Sequence, residues 1–117
     1  MSHPFKDYEI EVLASLLSTH FTRQELLDLL DRAEPTEAEY DGYGFFVTAA
    51  HPAFGRGRRV CSDPLMLGDT GDKTASFVAF LEDSELTLET FPPDGESLPA
   101  DFRNRDVKIT FQHNANA

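Results

Sequence analysis

The spacing of apolar residues along the chain changes once, from a helical period to an alternating one. In residues 7–19 the apolar side chains recur three and four positions apart, which predicts an amphipathic helix. Thr22 and Glu25 have the spacing of a capping box and are followed by pairs of leucines, so a second helix is predicted from there to residue 33. The two segments together predict a helical hairpin over residues 7–33.

After residue 42 the apolar residues alternate with polar ones or form short runs rich in Phe, Val and Thr. Such runs, bounded by Gly, Pro and Asp, are typical of β-strands. The predicted strands cover residues 43–50, 58–61 with an extension through 65–67, 75–82, 86–91 and 106–112. This order of elements predicts an α+β fold in a single domain, residues 1–117, in which the helical hairpin packs on one face of an antiparallel β-meander of about five strands over residues 43–112.

The segment ASFVAFLEDSELTLETF predicts a β-hairpin whose register follows from its turn. If Asp83 and Ser84 centre the turn, the facing pairs on one side are Leu81 with Leu86, Ala79 with Leu88, and Phe77 with Thr90. The same register places Glu82 opposite Glu85. Because facing like charges are unfavourable, we expect the loop to open to four residues.

The opposite side of this hairpin is also apolar. Val78, Phe80 and Phe91 share it in the predicted register, and Phe46 extends it. A sheet with apolar side chains on both faces needs a loop, a partner or a second copy of the chain to cover the second face. We therefore expect Val78, Phe80 and Phe91 to form a self-association surface in a homodimer.

The composition is that of one globular domain. A chain of 117 residues with 40% hydrophobic residues can bury most of its apolar surface without disulfides or metals. No window approaches the roughly 18 consecutive apolar residues of a membrane span. The N-terminal MSHPFKDYEIEV lacks the pattern of a signal peptide, and the single Cys61 cannot form an internal disulfide, so the expected location is the cytoplasm, without membrane contact.

The net charge of −11 is concentrated in the first part of the chain, where residues 1–44 contain ten acidic and three basic residues. Nucleic acids would be repelled, because neutralisation of phosphates supplies most of their affinity, and the second helix would present negative charge to them. A basic protein partner would be attracted instead. The residues predicted to bind it are Glu25, Asp28, Asp31, Glu34 and Glu37. The alternative is that these acids only keep the chain in solution.

The stretch HPAFGRGRRVCSD gathers positive charge beside the only cysteine. In a hairpin whose loop is residues 52–57, His51 would pair with Arg58 and Cys61 with Thr48. A Cys–His nucleophile then fails on geometry, because the odd offset turns Cys61 and His51 to opposite faces, and it would need a one-residue bulge or a different loop. The hairpin tip is a candidate contact for an anionic ligand or a partner through His51, Arg56 and Arg58, and the alternative is a purely structural turn.

Two further patterns bear on catalysis and metal binding. GDTGD contains the Asp-Thr-Gly triplet of aspartic proteases, but Asp72 stands where that family usually has Ser or Ala, and the second half of the pattern is missing. A turn is therefore predicted. No metal-ligand spacing connects the four histidines His3, His20, His51 and His113, and neither a metal nor another cofactor is predicted.

Three segments within residues 42–91 carry a family resemblance: GYGFFVTAAHPAF, DPLMLGD and ASFVAFLEDSELTLETF. Together they resemble a pattern of small bacterial proteins of unknown function, in which a GxGFF strand precedes a hairpin of the FVxFLEDxxLxLE type. The resemblance implies a bacterial source and a compact α+β domain. Its motifs are structural, so it implies no activity and no site residue.

Two functions of different classes fit these observations. The first is an acidic protein-interaction module, for example an inhibitor or immunity-type protein, that covers a basic partner. The second is a small ligand-binding or enzymatic domain with a pocket near the 51–59 hairpin. The first is favoured because the sequence assembles no catalytic constellation.

Overall fold

The computed structural model describes residues 4–112 and shows an α+β fold, as predicted. Two N-terminal helices, α1 (Asp7–Leu16) and α2 (Arg23–Arg32), precede a seven-stranded antiparallel sheet. The strands are β1 (Glu34–Tyr40), β2 (Phe45–Ala50), β3 (Arg59–Cys61), β4 (Leu65–Asp69), β5 (Thr74–Glu82), β6 (Glu85–Phe91) and β7 (Lys108–Gln112). Neither helix of this described part is long and apolar enough to cross a membrane.

The helices follow the local signals of the sequence. At the start of α2 the Glu25 N–H donates to Thr22 Oγ1 at 3.1 Å, and the Thr22 N–H donates to Glu25 Oε1 at 2.8 Å, which is the predicted capping box. α1 ends at Leu16, before the predicted end at residue 19, and the chain continues in turns to His20. Apolar spacing alone does not mark this end, because the turns also bury a leucine, Leu17.

The sheet has the strand order β1-β2-β6-β5-β4-β7, and β3 pairs with β5 beside β4. β3 and β4 follow each other along one edge of β5, with Cys61 opposite Ala79 and Leu67 opposite Ser76. Residues 62–64, which include the cis Asp63–Pro64 peptide, loop out between them. The predicted extension of the 58–61 strand through 65–67 therefore exists as an interrupted strand.

The β5–β6 hairpin has the predicted register along its length, but the expected opening of its loop to four residues is wrong. Asp83 and Ser84 form a two-residue turn with φ of 52° and 66°, and Glu82 directly faces Glu85. Positive φ at both positions matches the right-handed twist of the strands. The facing carboxylates are tolerated because both are exposed to water and Arg58 Nε lies 3.8 Å from Glu82 Oε1.

The predicted hairpin between the 43–50 and 58–61 strands is also wrong. β2 has β1 on one side and β6 on the other, so neither edge is free for β3. Thr48 faces Glu37 and Thr87, whereas Cys61 faces Ala79 of β5. The prediction failed because a local pattern shows that a segment is extended but not which strand competes successfully for its edge.

The chain between β2 and β3 crosses over the end of the β5–β6 hairpin; we call residues 51–58 the crossing segment. The His51 N–H donates to the Ser84 C=O at 2.8 Å, and the Ser84 N–H donates to the Gly55 C=O at 2.7 Å. These bonds satisfy backbone groups of both the turn and the segment that passes over it. The basic stretch is thus a connection held to the sheet rather than a free hairpin tip.

β1 is a strand that the apolar pattern does not predict. Its sequence, EPTEAEY, lacks an apolar run, and all seven of its residues are exposed. Its pairing with β2 shifts between Pro35 and Glu37 and is then continuous to Tyr40 opposite Phe45. β1 is therefore stabilised by pairing with β2 rather than by burial of its own side chains.

The hydrophobic core lies between the helices and one face of the sheet. Phe77 and Leu81 of β5 and Val47 of β2 are buried there, and the Phe77 ring centroid lies 6.3 Å from that of Tyr8 in α1. Side chains alternate along each strand, so the neighbouring residues point to the other face. That second face carries no helix within residues 4–112.

Candidate interaction surface on the sheet

The sheet face turned away from the helices, here called the open face, carries the second apolar surface. In β2, β5 and β6 the residues that face the helices are buried, whereas the residues of the open face include the half-buried Phe46, Val78, Phe80 and Phe91. Val60 of β3 pairs with Phe80 and is 54% exposed. The register that places Val78, Phe80 and Phe91 on one face is confirmed, while their role in self-association stays a prediction.

Carboxylates border these apolar residues. The register of β1, β5 and β6 places six of them on the open face: Glu34, Glu37 and Glu39 of β1, Glu82 of β5, and Glu85 and Glu89 of β6. At the opposite edge of this face, Asp69 of β4 is paired with Lys108 of β7. Arg58 lies among them, with its Nε 3.8 Å from Glu82 Oε1. The open face is therefore an apolar surface with a negative border along β1 and at the β5–β6 turn, and Glu89 lies within its apolar part.

Glu89 occupies the most apolar position of the six. Across the sheet it pairs with Phe46 of β2 and with Val78 of β5. Burial raises the pKa of its carboxyl above the ordinary value, and the charge of Asp41 raises it further. The ionised form is thus disfavoured at this position, and a cation placed beside it would lower the pKa again.

Two shallow pockets lie side by side on the open face and share Glu85. The first has a volume of about 230 Å³, and its lining includes Phe46, Arg58, Phe80, Glu82 and Glu85. The second has a volume of about 240 Å³ and is lined by Thr36, Glu37, Thr48 and Glu85. Both are smaller than the roughly 300–1,000 Å³ of typical small-molecule pockets, and their size suits single side chains of a partner.

The residues of the basic stretch have separate local roles. His51 Nδ1 accepts from the Ala53 N–H at 3.0 Å, so His51 caps the short 3-10 helix Pro52–Phe54. The Arg56 C=O accepts from the Asp83 N–H at 3.3 Å. Arg58 lines the first pocket beside Glu82. Of the three predicted anion contacts, Arg58 thus lines a pocket of the open face, and its charged neighbours there are carboxylates.

The acids predicted to bind a partner divide between two surfaces. Glu25, Asp28 and Asp31 lie exposed on α2, whereas Glu34 and Glu37 belong to β1 and the open face. On α2, Glu25 is occupied in the capping box and Asp28 Oδ1 accepts from Gln24 Nε2 at 3.0 Å. The alternation of Glu with Ala and Tyr in EPTEAEY is the signal that could have placed Glu37 and Glu39 together on a strand.

A buried ion pair on the other side of the sheet was not predicted. The fully buried Glu9 carboxylate accepts from Arg103 Nε and Nη2 and from the Lys6 N–H, each at 2.8 Å. Burial foremost, and then Glu9, raise the pKa of the neighbouring Tyr8 hydroxyl far above its ordinary value. Because both carboxylate oxygens are occupied and the pair joins α1 to the 3-10 helix Phe102–Asn104, we assign it a structural role.

The GDTGD segment forms the turn between β4 and β5, as predicted. The Gly71 N–H donates to Asp69 Oδ1 at 2.7 Å, and Gly71 has a φ of 102°. Thr70 Oγ1 donates to Asp72 Oδ1 at 2.9 Å. Both carboxylates therefore hold the turn, which is how Asp commonly acts in such loops.

Cys61 and the histidines show no assembled chemistry in the part of the chain that the structure describes. Cys61 is half-buried, and burial raises the pKa of its thiol against the lowering effect of Arg59, which disfavours the reactive thiolate. Among residues 4–112, no group of three or more His, Cys, Asp or Glu side chains is placed to hold a metal ion. His3 and His113 lie outside the described residues.

The open face is thus the surface on which apolar exposure, negative charge and concave shape coincide. No protein-family model matches this chain, and neither does any curated protein or solved structure. Function has to be inferred from the chemistry of the open face itself.

Proposed function

We propose that the protein is an acidic interaction module that binds a basic protein partner through the open face of its sheet. The observation that carries the proposal is the set of six carboxylates that β1, β5 and β6 place beside and between the apolar residues of that face. Protein interfaces combine an apolar centre with a polar rim. A rim of one charge favours a partner of the opposite charge and increases its rate of association. An inhibitor or immunity-type protein that covers a basic surface fits this description.

The open face is favoured over the acidic side of α2 for two reasons. First, Glu25 and Asp28 already make hydrogen bonds within α2, so they have less capacity for a partner. Second, the open face exposes apolar area, with Val60 at 54%, and apolar burial supplies most of the free energy of association. A basic side chain beside Glu89 would also favour the ionised carboxylate.

The proposal is tested with two short peptides of opposite charge as probes. One alternates Lys and Val, and the other alternates Glu and Val with the same length and capped ends. We expect the Lys peptide to bind and to shift the backbone amide resonances of β1, β2, β5 and β6 in NMR titrations. We expect the Glu peptide to leave them unchanged, because the border of the open face would repel it.

Two matched charge reversals then locate the binding surface. Glu37→Lys with Glu39→Lys alters the open face, and Asp28→Lys with Asp31→Lys alters α2 by the same formal charge. The first pair of substitutions is expected to raise the Kd of the Lys peptide by about tenfold or more. The second pair should raise it by less than about threefold, because screening limits the reach of distant charges. Equal losses in both variants, or equal binding of both peptides by the parent, would overturn the proposal.

A further inference from the structure

β1 is an edge of the sheet with an unoccupied outer side. It pairs with β2 alone, and within residues 4–112 no backbone hydrogen bond joins its outer side to another segment. All seven of its residues are exposed. An edge of this kind presents a row of N–H and C=O groups that a further strand can pair with.

Most of this edge is regular enough to serve as a template. The register shift is confined to the stretch between Pro35 and Glu37, and the pairing from Glu37 to Tyr40 is continuous. The Asp41 N–H donates to the Gly44 C=O at 3.2 Å, which fixes the alternation of hydrogen bonds in the β1–β2 pair. Counting back from that pair, the N–H groups of Ala38 and Tyr40 point away from β2.

The negative charge of β1 determines the charge of the strand that can pair with its outer side. Glu37 and Glu39 project onto the open face, and a neighbouring strand would place its own alternate residues directly beside them. A second copy of β1 would bring glutamates into this position, and like charges facing each other are unfavourable. Lys or Arg at alternate positions would complement them instead.

We infer that β1 is the docking edge for an extended basic segment of the partner, which pairs with its outer side as an additional strand. This inference rests on the proposed function, because it names the binding mode by which the basic partner reaches the open face. The added strand would place its basic side chains beside the β1 glutamates, at the border of the open face. Main-chain hydrogen bonds would then supply affinity and the alternate charges specificity.

A pair of substitutions at Ala38 separates strand pairing from charge attraction. Ala38→Pro removes the outward N–H and leaves every charge in place, and proline is tolerated where an edge N–H faces solvent. Ala38→Val keeps the N–H and serves as the control. We expect the Kd of the alternating Lys and Val peptide to rise about fivefold or more in Ala38→Pro and less than about twofold in Ala38→Val.

Hydrogen exchange of the unaltered protein gives a second measurement that does not depend on the proline variant folding. Saturating Lys peptide is expected to slow exchange of the Ala38 and Tyr40 amides about tenfold or more, because they become donors to the added strand. Unchanged exchange at both amides overturns the inference, as does equal binding by the two Ala38 variants. The proposed function is judged separately by the charge reversals, and absence of any binding at about 1 mM Lys peptide overturns both.

Discussion

At the scale of single residues, the spacing of two glycines explains how β2 enters the sheet. Gly42 lies in the turn after β1 with a φ of 87°, a conformation that side chains disfavour. Gly44 has a different constraint, because a Cβ at this position would overlap the backbone oxygen of Thr90 in β6. The glycine-spaced GFF strand is therefore a structural requirement: one glycine makes the turn, and the other lets two strands approach.

Gly44→Ala is expected to lower the free energy of unfolding by about 1–3 kcal/mol, since the methyl group forces β2 and β6 apart. Gly57→Ala is the matched control, because its Cβ would meet no atom within 4 Å and its φ is not in the positive range. We expect the control to change stability by less than about 1 kcal/mol. Urea unfolding of both variants checks this, and equal stabilities would contradict the close approach.

At the scale of elements, local sequence signals predicted most of the helices and strands. Which strands pair with each other was determined by competition between segments distant in sequence for the same strand edge. The capping box of α2 and the β5–β6 register depend on residues close in sequence, so both could be predicted from the sequence. β1 could not be predicted, because it is stabilised by its neighbour β2 and not by its own apolar residues. The apolar side chains of the open face could be predicted from alternation, but the part of its acidic border that β1 contributes required knowing that β1 is a strand.

The buried ion pair of Glu9 and Arg103 joins α1 to the 3-10 helix before β7, and its contribution to stability can be tested directly. Arg103→Met leaves the buried Glu9 without its partner and is expected to lower the free energy of unfolding by about 3–5 kcal/mol. The control is Arg23→Met, because Arg23 pairs with Glu11 on the surface. Removing this exposed pair should lower the free energy of unfolding by less than about 1 kcal/mol.

A double variant separates the ion pair from the packing around it. Because two apolar residues can replace a buried ion pair at little cost, Glu9→Met combined with Arg103→Met is expected to be more stable than Arg103→Met alone. Thermal unfolding of the double variant, of Arg103→Met and of the Arg23→Met control gives the comparison. A double variant less stable than Arg103→Met would show that the individual hydrogen bonds of Glu9, for example from the Lys6 N–H, matter more than the pairing of charges.

At the scale of the whole molecule, two predicted partners compete for the open face, and charge separates them. A basic partner is attracted by the acidic border, so its affinity should fall as salt is added. A second copy brings the same carboxylates against the first, as expected for a chain with a net charge of −11. Self-association through Val78, Phe80 and Phe91 should therefore strengthen with salt.

Sedimentation equilibrium at low and high salt tests this self-association. The parent is expected to be monomeric at about 0.05 M salt and to gain mass at about 1 M, where the Debye length falls to about 3 Å and the carboxylates no longer repel across the interface. Phe80→Glu should stay monomeric at both, because a charge replaces the apolar contact, while Asp31→Lys on α2 should follow the parent. A parent that stays monomeric at about 1 M salt, where apolar contacts are no longer opposed, would exclude the open face as a self-association surface and leave the basic partner as its remaining predicted occupant.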